Sequence, residues 1–180
     1  MKNMKLRQVT VGDERLLFVW KNDPVTLANS RGHMPVAWED HLAWFASAVS
    51  DPQKVMCIAE VEGVPVGLVR SGPNQSGQIE VCFTVDPKWR NQGVEQVMVE
   101  LFVAGYVPDQ NKVIFPIISG NTLAESVVAG LGSARLVTQG CEDQAVAEWK
   151  LVTTNTAYHF SCTRDNPGSS RVVLYCIEHS

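Results

Sequence analysis

Arg90-Asn91-Gln92-Gly93-Val94-Glu95 lies between an apolar run, Ile79 to Val85, and a segment in which Val94, Val97, Met98, Leu101 and Phe102 recur at helical spacing. A strand that turns into a helix presents backbone N–H groups with no intrahelical partner, and the helix dipole adds partial positive charge at the same point. Phosphate oxygens bind well there. Gly93 permits close approach of the backbone, and Arg90 is placed to add a charge-assisted contact. The segment from Arg90 through Asn91, Gln92, Gly93 and Val94 to Glu95 therefore predicts a pyrophosphate-binding turn, with an ordinary strand-to-helix turn as the plain alternative.

The elements that must position this turn follow from pattern. Lys5 to Thr10 predicts a first strand, and Asp13 an N-cap for a helix carrying Leu16, Leu17, Val19 and Trp20, which Pro24 ends or kinks. A short helical piece follows before Gly32, then a stronger helix, Trp38 to Val49, with Leu42, Phe45, Ala46 and Val49 inward. Val55 to Val61 and Val64 to Arg70 flank Glu62-Gly63 as a hairpin. Beyond the central helix, Lys112 to Ile118 predicts a strand, Asn121 begins a helix ending near Gly132, and two strands surround Cys141 to Gln144. The resulting order, β-α-α-β-β-β-α-β-α-β-β, is that of an α/β domain with a mixed sheet.

The spacing Arg90-x-x-Gly93 resembles the Gln/Arg-x-x-Gly-x-Gly/Ala signature of the GNAT superfamily, acyltransferases that use acetyl-CoA, and the element order is similar to theirs. Asn121 and Gly132, eleven residues apart, match the ends of that family's fourth helix. The resemblance covers residues 5–152. It implies a GNAT fold, a mostly antiparallel central sheet flanked by helices with strands 4 and 5 splayed, and acetyl-CoA as co-substrate. It further implies that the backbone of Phe83, Thr84 and Val85 orients the thioester and that Asn121 contacts the pantetheine arm. Glu80, ten residues before Arg90, then stands where part of the family carries its general base. On an alternating strand Cys82 and Thr84 share its face; a surface glutamate is the other reading. The family carries Gly or Ala where this chain has Glu95, and a Tyr general acid where it has Ala129, with Tyr106 and Cys82 as substitutes. Those departures set a noncatalytic GNAT-like binding domain beside the enzyme.

Trp20-Lys21-Asn22-Asp23 and Glu39-Asp40-His41 resemble a pattern of amino-sugar-nucleotide N-acetyltransferases of the pseudaminic-acid pathway type. Trp and His offer stacking and hydrogen-bonding surfaces, and Asn offers both donor and acceptor. Trp20, Asn22 and His41, with His33 in the loop Arg31-Gly32-His33-Met34, are the expected substrate residues; Trp20 and Phe45 equally fit core positions. The implied acceptor is the primary amine of a small molecule, a nucleotide-linked amino sugar being the finer expectation. Protein and peptide amines form the competing acceptor class.

With 180 residues, 45% hydrophobic and 19% charged, the chain predicts one globular domain over 1–152 and an extension over 153–180. That extension reads equally as an added strand, a strand exchanged in a homodimer, or a disordered tail. A net charge of -4 without a Lys/Arg cluster argues against a nucleic-acid partner. The five cysteines lack metal-ligand pairing, so no metal is expected. Met1 to Arg7 has no apolar signal core and no membrane-length apolar run follows, which predicts a soluble cytoplasmic protein.

Overall fold

The computed structural model describes residues 3–118, 120–131, 134–141, 144–151, 161–166 and 169–173, of which the last four segments enter by backbone course alone. Strands β1 (Met4–Gln8), β2 (Val55–Val61), β3 (Val64–Pro73) and β4 (Ile79–Val85) form an antiparallel meander. β5 (Val113–Ile118) joins β4 in parallel, and β7 (Gln144–Leu151) lies between β5 and its hairpin partner β6 (Ala134–Cys141). The tail contributes β8 (Ser161–Asn166) and β9 (Ser169–Val173). β9 pairs antiparallel with β1 at Leu6↔Ser170 and Arg7↔Ser169, which adds a hairpin to the sheet edge.

Side-chain alternation divides the sheet into two cores. Met56, Ile58 and Leu68 pack with Leu17 and Trp20 of α1 (Glu14–Lys21) and with Phe45 and Ala48 of α3 (Trp38–Ser50). On the other face Ala59, Val69, Val81 and Phe115 meet Met98 and Phe102 of α4 (Val94–Tyr106) and Val128 of α5 (Thr122–Gly130). β2 is buried on both faces from Met56 to Ala59, so Val55 to Ala59 is an apolar run rather than an alternation, with Glu60 breaking it near the end of the strand. The hairpin turn uses Glu62 at φ 54° and Gly63 at φ 80°, the two positive values that match the twist of the flanking strands. A bulge at Ala59/Glu60 brings Gly67 against α4, where a Cβ would sit 2.7 Å from the Thr84 carbonyl oxygen and 3.0 Å from Met98 Sδ.

Three expectations change. Val19 points outward at 64% exposure, and in α3 the buried positions are His41, Phe45 and Ala48, while Ala46 and Val49 face solvent. The α3 stripe is set one position away because Trp38 and His41 pack on Phe18 of α1. Pro24 opens a new helix, α2 (Pro24–Ala28), at its first position, where the missing N–H removes no bond. Gly132 lies outside the described residues, and α5 closes at Gly130. No helix among the described residues is long and apolar enough to cross a membrane.

Asp13 does more than begin α1. Its carboxylate receives both Arg7 Nη1 and Nη2 at 2.7 Å and the backbone N–H and hydroxyl of Thr10, while Arg7 Nε bonds Glu60. Burial pushes the Asp13 carboxyl up, but the Arg7 and Thr10 donors outweigh it and hold the group below its ordinary 3.8. A lowered carboxyl adds stability that is present above the ordinary value and is lost as pH falls through the lowered one. Asp13→Asn is expected to cost about 2 kcal/mol at pH 7. Urea unfolding at pH 7 and at successively lower pH should find the difference from wild type steady down to about the ordinary carboxyl value and shrinking below it.

Candidate active site

β4 and β5 are hydrogen-bonded at two register positions, Ile79↔Val113 and Glu80↔Ile114, and separate beyond them. Between the diverging strands lies a cleft of about 650 Å³, lined by Glu80 to Val85 on one wall and by Pro116, Ile117, Ile118 and Asn121 on the other. That is within the range that takes a small molecule or a cofactor arm. The backbone groups of Val81 to Val85 that point toward β5 have lost their ladder partners over this stretch, so the cleft offers them to a ligand.

At the mouth the chain turns from β4 into α4. Asp86 accepts from Lys88 N at 2.8 Å and from Trp20 Nε1 at 2.9 Å, which fixes the first bend. Asn91 at φ 60° and Gly93 at φ 75° then reverse the backbone, Gly93 being the residue type that adopts this region without strain. The first N–H groups of α4 have no intrahelical partner.

Two side chains of this turn depart from expectation. Arg90 faces inward, its Nη2 on the Asp23 carboxylate and 3.2 Å from Thr26 Oγ1, its Nε 3.2 Å from the Val85 carbonyl oxygen. Only 15% of its side chain is exposed, so it is a tie between α2 and β4 rather than a free phosphate ligand. Burial pushes the Asp23 carboxyl up, yet the bonds from Arg90 and Thr26 leave it below its ordinary value. Glu95 is 3% exposed and folds under the turn, where Oε1 accepts Asn91 N at 3.2 Å. A carboxylate in the first helical turn is favoured by the dipole, and here it takes a donor that a phosphate would otherwise use.

Of the expected substrate residues Trp20 and His41 border the cleft and Asn22 and His33 do not, and the polar groups of Trp20, Asn22 and His41 are engaged within the fold. Trp20 is 2% exposed with its indole N–H on Asp86, and Asn22 spends both halves of its amide on Val36, accepting from N at 2.8 Å and donating to O at 3.1 Å. His41 is 1% exposed, its Nε2 2.8 Å from the Glu14 carbonyl oxygen, which requires a proton on that nitrogen, and its ring lies among Phe18, Trp38, Trp44 and Phe45. His33, at φ 49°, is exposed, bonds Leu27 O and stays outside the cleft lining.

Glu80, Cys82 and Thr84 do share a face, since Val81 and Val85 belong to the α4-side core and Phe83 packs on it. All of them line the cleft. Burial pushes the Cys82 thiol up; Arg70 and Arg31 pull it down and Glu80 raises it further, so all three charges act on the thiol. Asn121 caps α5 through Oδ1 on Ala124 N at 3.2 Å and lines the far wall. Gln92, Gly93 and Asn91 are exposed at the mouth. Tyr106 stacks on Phe102 and bonds Cys57, away from the cleft, so it is no substitute acid; burial, opposed by that bond, pushes the Cys57 thiol up to about 12. Lys21, which stood in the Trp20-Lys21-Asn22-Asp23 pattern without a role of its own, and Arg70, which no motif included, also line the cleft. Among the described residues no cluster of His, Cys, Asp and Glu is arranged to hold a metal.

No protein-family model and no curated protein matches the chain. Solved structures do. Spermidine N-acetyltransferase from Vibrio cholerae, in complex with CoA and spermine, superposes with a TM-score of 0.68 at 14% identity over 82% of this chain and 94% of that one. An aminoglycoside acetyltransferase in complex with coenzyme A gives 0.67 at 15% identity over 82% and 94%. An acetyltransferase from Thermus thermophilus gives 0.67 at 18% over 84% and 100%. The chain thus has the α/β GNAT fold expected from its sequence, with a mixed sheet that opens between strands 4 and 5.

If the inward Arg90 is a structural tie, its worth is measurable. A double-mutant cycle of Arg90→Gln and Asp23→Asn, read by chemical unfolding, is expected to return a coupling of about 1–2 kcal/mol. A coupling below about 0.5 kcal/mol would place the pair among ordinary surface ion pairs.

Proposed function

We propose that the chain transfers an acetyl group from acetyl-CoA to a primary amine of a small molecule, with a nucleotide-linked amino sugar as the acceptor. The observation that carries this reading is the separation of β4 from β5 directly after Glu80, which opens unpaired strand backbone beside a carboxylate. Fold relatives whose structures hold coenzyme A support the cofactor. The mouth of the cleft fits a pyrophosphate through the open N–H groups of α4 and the glycine at its start, with Glu95 competing for one donor.

Acetyl-CoA supplies the activated acyl group, so the bond made is C–N and the bond broken is C–S. The Phe83 N–H, which points away from β3, is placed to hold the acyl oxygen, while the Thr84 N–H lies in the β3 ladder and the Val85 carbonyl is already taken by Arg90. Glu80 accepts the proton that the amine loses as its nitrogen bonds to the acyl carbon. The departing sulfur takes its proton from Cys82, which burial keeps in the thiol form, or from water.

Glu80→Gln is expected to lower kcat by about 10²–10³ while leaving acetyl-CoA affinity within about twofold. Unchanged kcat would remove Glu80 from the chemistry. Calorimetry tests the cofactor itself: wild-type protein should bind acetyl-CoA, and Glu95→Ala should bind about tenfold more tightly once the competing carboxylate is gone. Binding confined to the Ala variant would favour the second reading, a noncatalytic domain, for which the buried Glu95 is the specific support.

A further inference from the structure

The chain is acidic overall, yet the wall of the cleft beside Glu80 carries three cations, Lys21, Arg31 and Arg70, none of which has an ion-pair partner among the described residues. The other charges there are accounted for. Arg90 is held by Asp23, Glu95 by the Asn91 N–H, and the carboxylates left facing the cleft are Asp40 and Glu80. Arg70 sits opposite Cys82 in the β3–β4 register and therefore diagonal to Glu80, about 7–8 Å away between Cα atoms. Its guanidinium lies 5.6 Å from the Trp44 ring centroid, which holds the head in one place without neutralising it. Lys21 ends α1 and is half-buried. Burial, and then the nearby positive charge of Arg70, push its ammonium below the ordinary lysine value.

Half-buried Lys21 and exposed Arg70 are of like sign and oppose each other, and burial adds to the penalty at Lys21 alone. A bound anion would relieve both effects. We infer that Lys21 and Arg70, with Arg31 at the rim, form an anion subsite for the acceptor, which is therefore an amine that also carries a phosphate or carboxylate group within reach of Glu80. The inference rests on the acetyl-transfer reading for the amine but not for the anion. It separates this cleft from one built for a polyamine, in which a polycation would meet Lys21 and Arg70 as like charges.

The test uses three pyranose amines that differ only at C6, glucosamine, glucosamine 6-phosphate and 2-amino-2-deoxyglucuronic acid, with spermidine as a cationic control. Two readouts are taken in the presence of acetyl-CoA, thermal stabilisation of the protein and release of free CoA thiol. The expected result is half-maximal stabilisation by one of the anionic amines at about one-tenth of the glucosamine concentration, and that advantage should be lost in both Lys21→Met and Arg70→Gln. Whichever amine has the advantage identifies the anion. Equal responses to all three amines, or an advantage that survives both substitutions, overturns the subsite. Anion-dependent stabilisation with no thiol release from any amine leaves the subsite standing and overturns the transferase reading. Thiol release with spermidine at a rate indifferent to both substitutions does the reverse.

Discussion

Two parallel strands that share hydrogen bonds at Ile79 and Glu80 and then diverge set the terms for everything around them. A sheet interior cannot leave strand backbone unpaired without a penalty comparable to the bonds it forgoes. The separation persists because each strand is held from its other side. β4 is paired along its full length with β3, and β5 pairs with β7 from Ile114 to Ile118. Beneath them α4 and α5 fill the space with Met98, Phe102 and Val128, so the gap opens on the ligand side and not into the core. The opening is thus built by pairing elsewhere, and a ligand entering it finds donors and acceptors that need no rearrangement.

The charges around this opening fall into two groups. Asp23, Glu95 and Arg90 are all committed to partners in the fold, and each commitment joins segments distant in sequence or closes a turn. Glu80, Asp40, Lys21, Arg31 and Arg70 line the cleft without such ties. The charges left free share the cleft with the β4 face bearing Glu80 and Cys82. Local charge sign then matters more than net charge, because the low-dielectric walls focus the field of the few groups that remain free.

Much of the scaffold was legible in the sequence because the signals were local. Glu62-Gly63 between two apolar runs specified a hairpin, and Gly93 before a periodic segment specified a helix start. The alternation of Glu80, Cys82 and Thr84 gave their common face. What was not legible were directions set by tertiary partners. Nothing in Arg90-x-x-Gly93 says that the guanidinium turns inward, since its partner Asp23 is 67 residues away. Trp20, Asn22 and His41 have the side chains of a ligand site, but here those groups are spent on Asp86, Val36 and Glu14. The same blindness hid the pairing of Lys21 with Arg70, which become neighbours only when α1 packs over β3 and β4.

Those structural uses of polar groups bear on function indirectly. Trp20 ties the end of α1 to Asp86, Asp23 ties the start of α2 to Arg90, and Asp86 and Arg90 bracket the turn that leads into α4. Lys21 lies between the two anchors in sequence, and Asn22 next to it clasps Val36 to close the loop that brings in α3. The wall carrying Lys21 and the turn into α4 are therefore pinned to each other across a few residues. Lys21, Arg70 and Glu80 keep their spacing relative to the β4 backbone because the segment carrying Lys21 cannot shift without breaking a buried indole bond and a largely buried ion pair. Shared anchoring of this kind fixes side chains from separate elements relative to one another; in any site that positions reacting groups, a displacement of about 1 Å is enough to lower the rate steeply.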